Sequence, residues 1–305
     1  MVGAVGSGQP AQAVPTPLHT RCSFGAFVGN EPYGPGPAGL GDHYALERVL
    51  GVKLERMVWY ADMDQPWPTA AAKQAAKTGH TPHIAWDTGP VTLAQILKGS
   101  RDKALDAFFG KAQAFKGTVV LRPWWEMNTV KGRYTVGYSG AGKAVQSLQQ
   151  YREAWAYLHH RAKVTNGATN VSFFFCANGQ DVGPYAMEQY FPGREYVDQV
   201  GFDIYNETHW ASWTSFEPKL AAMYARVAAL HPTAAISIGE IGTVNSGGAP
   251  GTNKATWLQD MFRSTAFPRL KHVDFFSVRQ GASADWRLDE TAAAIGVTRE
   301  HLAHQ

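Results

Sequence analysis

The chain alternates short apolar runs with longer segments in which apolar residues recur every three or four positions. The short runs are rich in Val, Ile and aromatic residues and predict eight β-strands, whereas the longer segments predict amphipathic α-helices. The predicted strands are residues 23–28, 56–61, 83–86, 117–121, 170–176, 197–204, 235–239 and 273–278. The predicted helices are residues 40–50, 69–77, 93–97, 103–115, 145–163, 218–230, 254–262 and 290 to about 302.

This alternation continues through the 305 residues without an internal repeat or a Ser- or Gly-rich linker. Strands that alternate with helices predict a single parallel α/β domain. The count of eight strands favours a closed (β/α)8 TIM barrel over an open sheet. We therefore expect residues 21–305 to form one barrel domain and residues 1–20 to be a disordered N-terminal segment.

The N-terminal segment carries no charged side chain up to Pro17, and it contains Ala11-Gln12-Ala13 followed by Val14-Pro15. This pattern of small residues is similar to the end of a secretory signal peptide, so we expect a secreted or cell-envelope protein. The two cysteines, Cys22 and Cys176, are consistent with one disulfide or with two buried thiols. No run of about 18 apolar residues predicts a membrane span.

Composition narrows the class of ligand. The net charge of +3 is small and the basic residues are dispersed, which argues against nucleic-acid binding. Ten Trp and twelve Tyr are unusually many, and several stand beside polar residues at predicted strand ends. An indole can pack in a core or stack on a sugar ring. The candidates for sugar binding at strand ends and loops are Trp59, Trp86, Asp87, Arg122, Trp125, Asn128, Asn178, Trp210 and Arg279.

Two of the predicted strands lead directly into a glutamate. The fourth is followed by Arg122-Pro-Trp-Trp-Glu126-Met-Asn128, and the seventh lies in Ile236-Ser-Ile-Gly-Glu240-Ile-Gly. A carboxylate is costly to bury without a partner or a task, and a structural ion pair with Arg122 is the alternative for Glu126. In a parallel barrel both strand ends lie at the same rim, so the fold can bring the two glutamates together.

A pair of carboxylates at that rim suits glycoside hydrolysis by double displacement. Glu126, beside two indoles, would be the acid/base because apolar surroundings favour the protonated carboxyl. Glu240 would be the nucleophile, kept ionised by Arg122 and the hydroxyl of Tyr205. Asn128 would hold a sugar hydroxyl or the acid/base.

Four stretches of the sequence form a recognisable series. They are residues 122–128, Gly167-Ala-Thr-Asn-Val171 running into Phe-Cys-Ala-Asn178, residues 190–206 with Asp203-Ile-Tyr205-Asn206, and Ile238-Gly-Glu240-Ile-Gly242. Together they resemble glycoside hydrolase family 26, a family of retaining (β/α)8 barrels best known for β-mannanases, over about residues 24–287. The resemblance implies Glu126 as acid/base, Glu240 as nucleophile, Tyr205 bonded to the nucleophile, and Arg122 and Asn128 as support.

The chain departs from the family pattern around the substrate pocket. Family mannanases usually carry a His before the acid/base, where this chain has Trp125. The eighth strand leads into Ser277-Val-Arg279-Gln, where a Trp platform is common. β-Mannan is therefore the family default, and β-1,3-xylan, mixed-linkage β-glucan, arabinan or a microbial surface polysaccharide stay open. A non-catalytic carbohydrate-binding barrel is the alternative from another class.

Other motifs do not suggest a cofactor. Residues 137–143 have phosphate-loop spacing, but Ala144 replaces the Ser or Thr that would hold magnesium. Asp62 and Asp64 are better read as solvated or sugar-binding carboxylates. His80 and His83 lack a third ligand at any recognisable spacing. We expect no metal and no cofactor, a polysaccharide or oligosaccharide substrate, and a monomer.

Overall fold

A computed structural model of the chain describes residues 15–29, 40–130, 132–208, 212–246, 249–280 and 284–303. Its eight main strands are parallel and form a closed barrel in chain order, with the last strand paired to the first. The predicted (β/α)8 fold is confirmed. The strands are β1 Ser23–Val28, β2 Arg56–Asp62, β3 Thr81–Asp87, β4 Val119–Pro123, β5 Val171–Asn178, β6 Gln199–Asn206, β7 Ala235–Thr243 and β8 Leu270–Ser277.

Helices cover the outside of this barrel. They are α1 Leu40–Leu50, α2 Thr69–Lys77, α3 Leu93–Leu97, α4 Asp102–Phe115, α5 Leu148–His160, α6 Met187–Tyr190, α7 Phe216–Leu230, α8 Lys254–Arg263 and α9 Ala292–Leu302. The short helix α6 and the two-residue strands β9 Arg279–Gln280 and β10 Ala284–Asp285 escaped the sequence analysis because each is shorter than one hydrophobic repeat.

Helix α5 begins later than its apolar spacing predicts. Val145 is buried, but it lies ahead of the helix. The hydroxyl of Ser147 accepts a hydrogen bond from the Gln150 amide at 3.1 Å and caps the helix there. At the other end, Arg161–Thr165 continue as one π-helical turn.

The hydrophobic core lies between the strands and the helices. Side chains alternate along each strand, so every second residue points away from the barrel axis. Trp59 and Trp86 are 3% and 0% exposed on these outward faces. Trp86 stacks on Phe108 of α4 with ring centroids 4.5 Å apart.

The barrel interior holds a buried polar network below the rim. Asp274 of β8 contacts His83 Nδ1 at 2.8 Å and Arg56 Nη1 at 3.3 Å. Arg56 also donates to Gln199, whose oxygen accepts from the Ser237 hydroxyl. Burial lowers the pKa of His83 to about 4, so the ring is neutral at neutral pH.

The segment before β1 lies at the amino-terminal end of the barrel strands. Residues 1–14, most of the segment expected to be disordered, lie outside the described residues. Leu18–Thr20 form a 3₁₀ turn, and Leu18 is fully buried against the helix layer. Cys22 and Cys176 are buried thiols, which donate to Leu270 O and Asp203 Oδ1 at 3.0 Å each. Among the described residues no helix is long and apolar enough to cross a bilayer.

Candidate active site

The segment after β4 turns sharply at the barrel rim. Trp124 and Glu126 both adopt left-handed backbone conformations, with φ of 49° and 55°. Such a conformation costs a non-glycine residue roughly 1–2 kcal/mol and persists only where the surroundings impose it. Trp124 is fully buried against Tyr151 and Trp155 of α5, while the Glu126 amide donates to Cys176 O at 2.9 Å. The turn therefore buries one indole outside the barrel and keeps Glu126 at the rim.

Glu126 is oriented by the neighbouring loop after β5. The Asn178 side chain donates to Glu126 Oε1 at 2.9 Å. Asn128 in turn holds that loop: its side chain accepts from the Asn178 amide at 2.7 Å and donates to Gln180 O and Asp181 Oδ1. Asn128 is fully buried. It positions Asn178, which bonds Glu126. A contact between Asn128 and a sugar stays a prediction.

Glu240 points into the barrel because β7 contains a bulge. In the register with β6, Phe202 pairs with Ile238 and Asp203 pairs with Glu240, so Gly239 is the extra residue. Strict alternation from the inward Ser237 would turn Glu240 toward the helices. The bulge re-aims it, as bulges near active sites commonly do. The strand also runs on to Thr243, so Glu240 lies within it and not after it as predicted.

Three donors hold the Glu240 carboxylate. Tyr60 of β2 donates to Oε1 at 2.5 Å, and Arg122 Nη2 donates to the same oxygen at 2.7 Å. Tyr205 of β6 donates to Oε2. Glu240 is 5% exposed. Donors from three different strands therefore fix both carboxylate oxygens in a nearly dry environment.

Arg122 is the cation at the centre of this arrangement. It is fully buried, and its Nη1 donates to both oxygens of Asp203 at 2.8 Å. Burial opposes the guanidinium charge, but the carboxylates of Asp203 and Glu240 outweigh it and raise the Arg122 pKa well above its ordinary value. Arg122 thus contacts carboxylates and has no exposed surface. A contact between Arg122 and the substrate stays a prediction.

The two glutamates share an electrostatic environment. Burial raises the pKa of Tyr205 well above its ordinary value, and the negative charges of both Glu240 and Glu126 raise it further. Burial and Glu240 act on the pKa of Tyr60 in the same direction. Both hydroxyls are thus neutral donors at neutral pH. The Tyr205 phenol therefore lies within electrostatic reach of both Glu126 and Glu240.

The rest of the mouth is aromatic and acidic. Trp125 is 8% exposed, lies against Tyr60 and Tyr134, and has the Arg122 guanidinium 5.5 Å from its ring centroid. Asp62 and Asp87 are register partners at the ends of β2 and β3. Partial burial and the neighbouring carboxylates raise the pKa of Asp62.

The remaining predicted sugar-binding residues differ in their placement. Trp59 and Trp86 lie in the core between strands and helices, so their prediction is wrong: period-two alternation turns them away from the rim. Arg279 in β9 is 61% exposed, with its Nε 3.9 Å from Asp285. Trp210 lies outside the described residues. Sugar contacts by Asp87, Trp125, Asn178 and Arg279 stay predictions.

Sequence reasoning missed two members of the site. Asp203 is a carboxylate between Phe202 and Ile204 in a predicted strand, which by itself signals a buried partner. Tyr60 lies two residues from both Val58 and Asp62, so strand alternation places it on the inward face. Neither signal predicts that these residues lie beside Glu240, because only the closed barrel brings their strands together. The three side chains in mutual reach for a metal ion, His43, Glu47 and His80, lie outside this site.

Comparison with known proteins relates the chain to carbohydrate-cleaving enzymes. The family model of glycosyl hydrolase family 26 matches residues 104–250. Endoglucanase H of Acetivibrio thermocellus is 26% identical over 285 residues, which make up 92% of this chain and 30% of that protein. The chain therefore spans less than a third of the length of this relative.

Solved structures show the same architecture. An endo-β-1,4-mannanase of Cellulomonas fimi superposes with a TM-score of 0.64 at 15% identity, over 93% of this chain and 71% of that one. A β-mannanase from a symbiotic protist of the termite Reticulitermes speratus gives a TM-score of 0.61 at 14% identity, over 93% and 87%. At these identities the likeness establishes the fold.

Proposed function

We propose that the chain is a family 26 glycoside hydrolase that cleaves an internal bond of a β-linked polysaccharide with retention, Glu240 acting as nucleophile and Glu126 as acid/base. The observation that carries the proposal is the setting of Glu240. A carboxylate on the inner face of the barrel, held by a guanidinium and two phenols, is arranged to act on a ligand at the rim. A binding module has no need of such a group.

The nucleophilic role follows from the charge around Glu240. Arg122 and the hydroxyls of Tyr60 and Tyr205 all donate to its oxygens, which stabilises the anion. In the first step a Glu240 oxygen attacks the anomeric carbon while the glycosidic bond breaks. Glu240 loses its negative charge when the glycosyl ester forms. The same three donors then favour the ionised carboxylate that is regenerated when water releases the sugar.

The acid/base role suits Glu126 because the Asn178 side chain that donates to its Oε1 is uncharged. The Asn178 amide tolerates both a protonated and an ionised carboxyl, whereas a guanidinium would favour only the ion. Glu126 protonates the departing oxygen in the first step. It then removes a proton from the attacking water in the second, so the proton is returned to Glu126 and the cycle closes.

β-Mannan is the first candidate substrate, since it is the family default and since mannanases share the fold. β-Glucan is the second, and two observations favour it. Endoglucanase H is a relative that matches most of this chain. Trp125 also replaces the His that family mannanases use at the cleavage point, so the pocket for the reacting sugar has been altered. Asp62 and Asp87 are placed to accept hydroxyl hydrogen bonds from a neighbouring sugar.

The site of action is proposed to be outside the cell. An enzyme that cuts an extracellular polysaccharide at internal bonds meets its substrate outside the cell. The small-residue pattern at Ala11-Gln12-Ala13 is consistent with this.

Product release from a polysaccharide panel tests the proposal. The purified enzyme is incubated with mannan, galactomannan, mixed-linkage glucan, β-1,3-xylan and arabinan, and the products are separated by chromatography. We expect short oligosaccharides from one polymer, lost in Glu240→Gln and retained in Glu300→Gln, a matched change at a 62% exposed side chain on α9. Substantial turnover by Glu240→Gln would contradict the assignment of the nucleophile.

A further inference from the structure

A cluster of potential metal ligands lies at the opposite end of the barrel from the catalytic glutamates. His43 and Glu47 stand one turn apart on α1, and His80 precedes β3. Their ligand atoms lie within 4.8 Å of one another. His80 Nε2 is 2.8 Å and His43 Nε2 is 3.6 Å from Glu47 Oε1. His80 is 5% exposed and His43 is 2% exposed, so both imidazole rings are almost fully buried.

Hydrogen-bond contacts hold the His80 ring against the carboxylate. The Thr78 hydroxyl lies 2.8 Å from His80 Nδ1, and His80 Nε2 lies 2.8 Å from Glu47 Oε1. An imidazole binds a metal through a ring nitrogen that carries no proton. A metal ion on Nε2 would take the place of the proton shared with Glu47, while Nδ1–H would donate to the Thr78 oxygen.

His43 provides an independent indication. It is nine-tenths buried or more, and within the described part of the chain neither of its ring nitrogens has a hydrogen-bond partner. An unsatisfied buried polar group costs roughly 1–3 kcal/mol, so such a group usually has a ligand or a water. Its Nε2 faces the same carboxylate as His80.

We propose that His43, Glu47 and His80 bind a divalent transition-metal ion, for which zinc is the best fit. Two imidazole nitrogens and one carboxylate oxygen are a common zinc ligand set. Bonds of about 2.0 Å in tetrahedral geometry place ligand atoms about 3.3 Å apart, so only small movements from the present distances are needed. Supporting contacts orient the ligands: the Thr78 hydroxyl lies 2.8 Å from His80 Nδ1, and the Leu54 amide donates to Glu47 at 2.8 Å.

A solvent-accessible cavity of about 550 Å³ gives the ion a path and a fourth ligand. Glu47 and His80 line this cavity together with Tyr44, Arg48 and Lys53. A water or a small anion entering from it completes the coordination. Arg48 and Lys53 favour an anion in the cavity and oppose a metal ion that has no anion beside it. The affinity for the metal therefore depends on all three protein ligands.

The expected role is structural. The ion would tie α1 to the segment that leads into β3, at the amino-terminal end of the barrel. Binding to the folded state alone raises the melting temperature by mass action. The catalytic glutamates lie at the carboxyl-terminal ends of the strands, so loading should leave turnover unchanged.

The test is titration of tag-free, chelator-treated protein with ZnCl2 by calorimetry, and with Co²⁺ by visible absorption, in three variants. His43→Phe keeps a buried ring and removes a ligand that has no hydrogen bond to lose among the described residues. Glu47→Gln keeps the size of the second ligand. His159→Phe, the same change on α5 outside the cluster, is the matched control.

The proposal predicts one zinc per chain in the parent and in His159→Phe, a higher melting temperature with zinc in both, and intense Co²⁺ bands typical of tetrahedral sites. Affinity should fall at least tenfold in His43→Phe and in Glu47→Gln. The proposal is overturned if the parent binds no zinc, or if both cluster variants bind it as tightly as the parent. A melting temperature of His43→Phe equal to the parent's without zinc would establish that the variant folds.

Discussion

Gly239 leaves space for the side chains that surround Glu240, and Gly239→Ala should therefore reduce activity. A methyl group on this residue would lie 2.5 Å from Arg122 Nη1, 2.7 Å from Asp203 Oδ1 and 2.8 Å from Cys176 Sγ. Ordinary contact begins near 3.4 Å, so these groups must retreat by about 0.6–0.9 Å. Because Arg122 also bonds Glu240, the displacement reaches the nucleophile.

Two magnitudes follow from that displacement. Overpacking a well-packed interior costs about 1–3 kcal/mol, which corresponds to a melting temperature lower by roughly 2–6 °C in a domain of this size. A misplacement near 1 Å can reduce turnover by about 100-fold. The variant should therefore stay folded at assay temperature and lose far more activity than its stability explains.

The assay compares kcat/KM on the preferred polymer with the melting temperature from calorimetry. Gly296→Ala on α9 is the control, since a methyl group there meets nothing within 4 Å and Ala favours a helix. It should be as active as the parent and no less stable. Full activity of Gly239→Ala would refute the reasoning that Arg122 holds Glu240 in place.

Three further predictions concern the barrel interior. Tyr60→Phe and Tyr205→Phe each remove a hydrogen bond to a charged Glu240, worth about 1.5–3 kcal/mol, so kcat/KM should fall roughly 10- to 150-fold with the circular dichroism spectrum unchanged. Asp274→Asn leaves the buried Arg56 guanidinium without its carboxylate and should lower the free energy of unfolding by about 3–5 kcal/mol in a denaturant titration; a loss below about 1 kcal/mol would contradict the network. His83 titrates near 4 when folded and at 6.5 when freely solvated, so the unfolded chain binds more protons between these values. The free energy of unfolding should therefore fall as pH drops from 6.5 to 4, and His83→Gln should flatten this dependence.

The order of elements could be predicted from the sequence because it rests on local patterns. Apolar runs and helical spacing locate the eight strands and the principal helices, and the alternation defines the barrel. The boundaries differ where a specific side chain decides them, as the Ser147 cap does for α5.

The candidate site was only partly predictable, because its geometry depends on the barrel. Glu126 and Glu240 could be identified as carboxylates at strand ends. The left-handed turn at Glu126 could not be predicted, since no glycine marks it. The bulge at Gly239 could not be predicted either, since it depends on the register between β7 and β6. Trp59 and Trp86 could not be excluded from the rim because residue type alone does not say which face of a strand an indole occupies.

The roles of the two glutamates are tested most directly by azide rescue. Glu240→Ala and Glu126→Ala are each supplied with azide and an activated aryl β-glycoside of the sugar identified in the polysaccharide panel, and the anomeric configuration of the glycosyl azide is determined by NMR. The account predicts the α-azide from Glu240→Ala, because azide attacks the substrate directly. It predicts the β-azide from Glu126→Ala, because azide attacks the glycosyl-enzyme formed on Glu240. A β-azide from Glu240→Ala would contradict the assignment of Glu240 as the nucleophile.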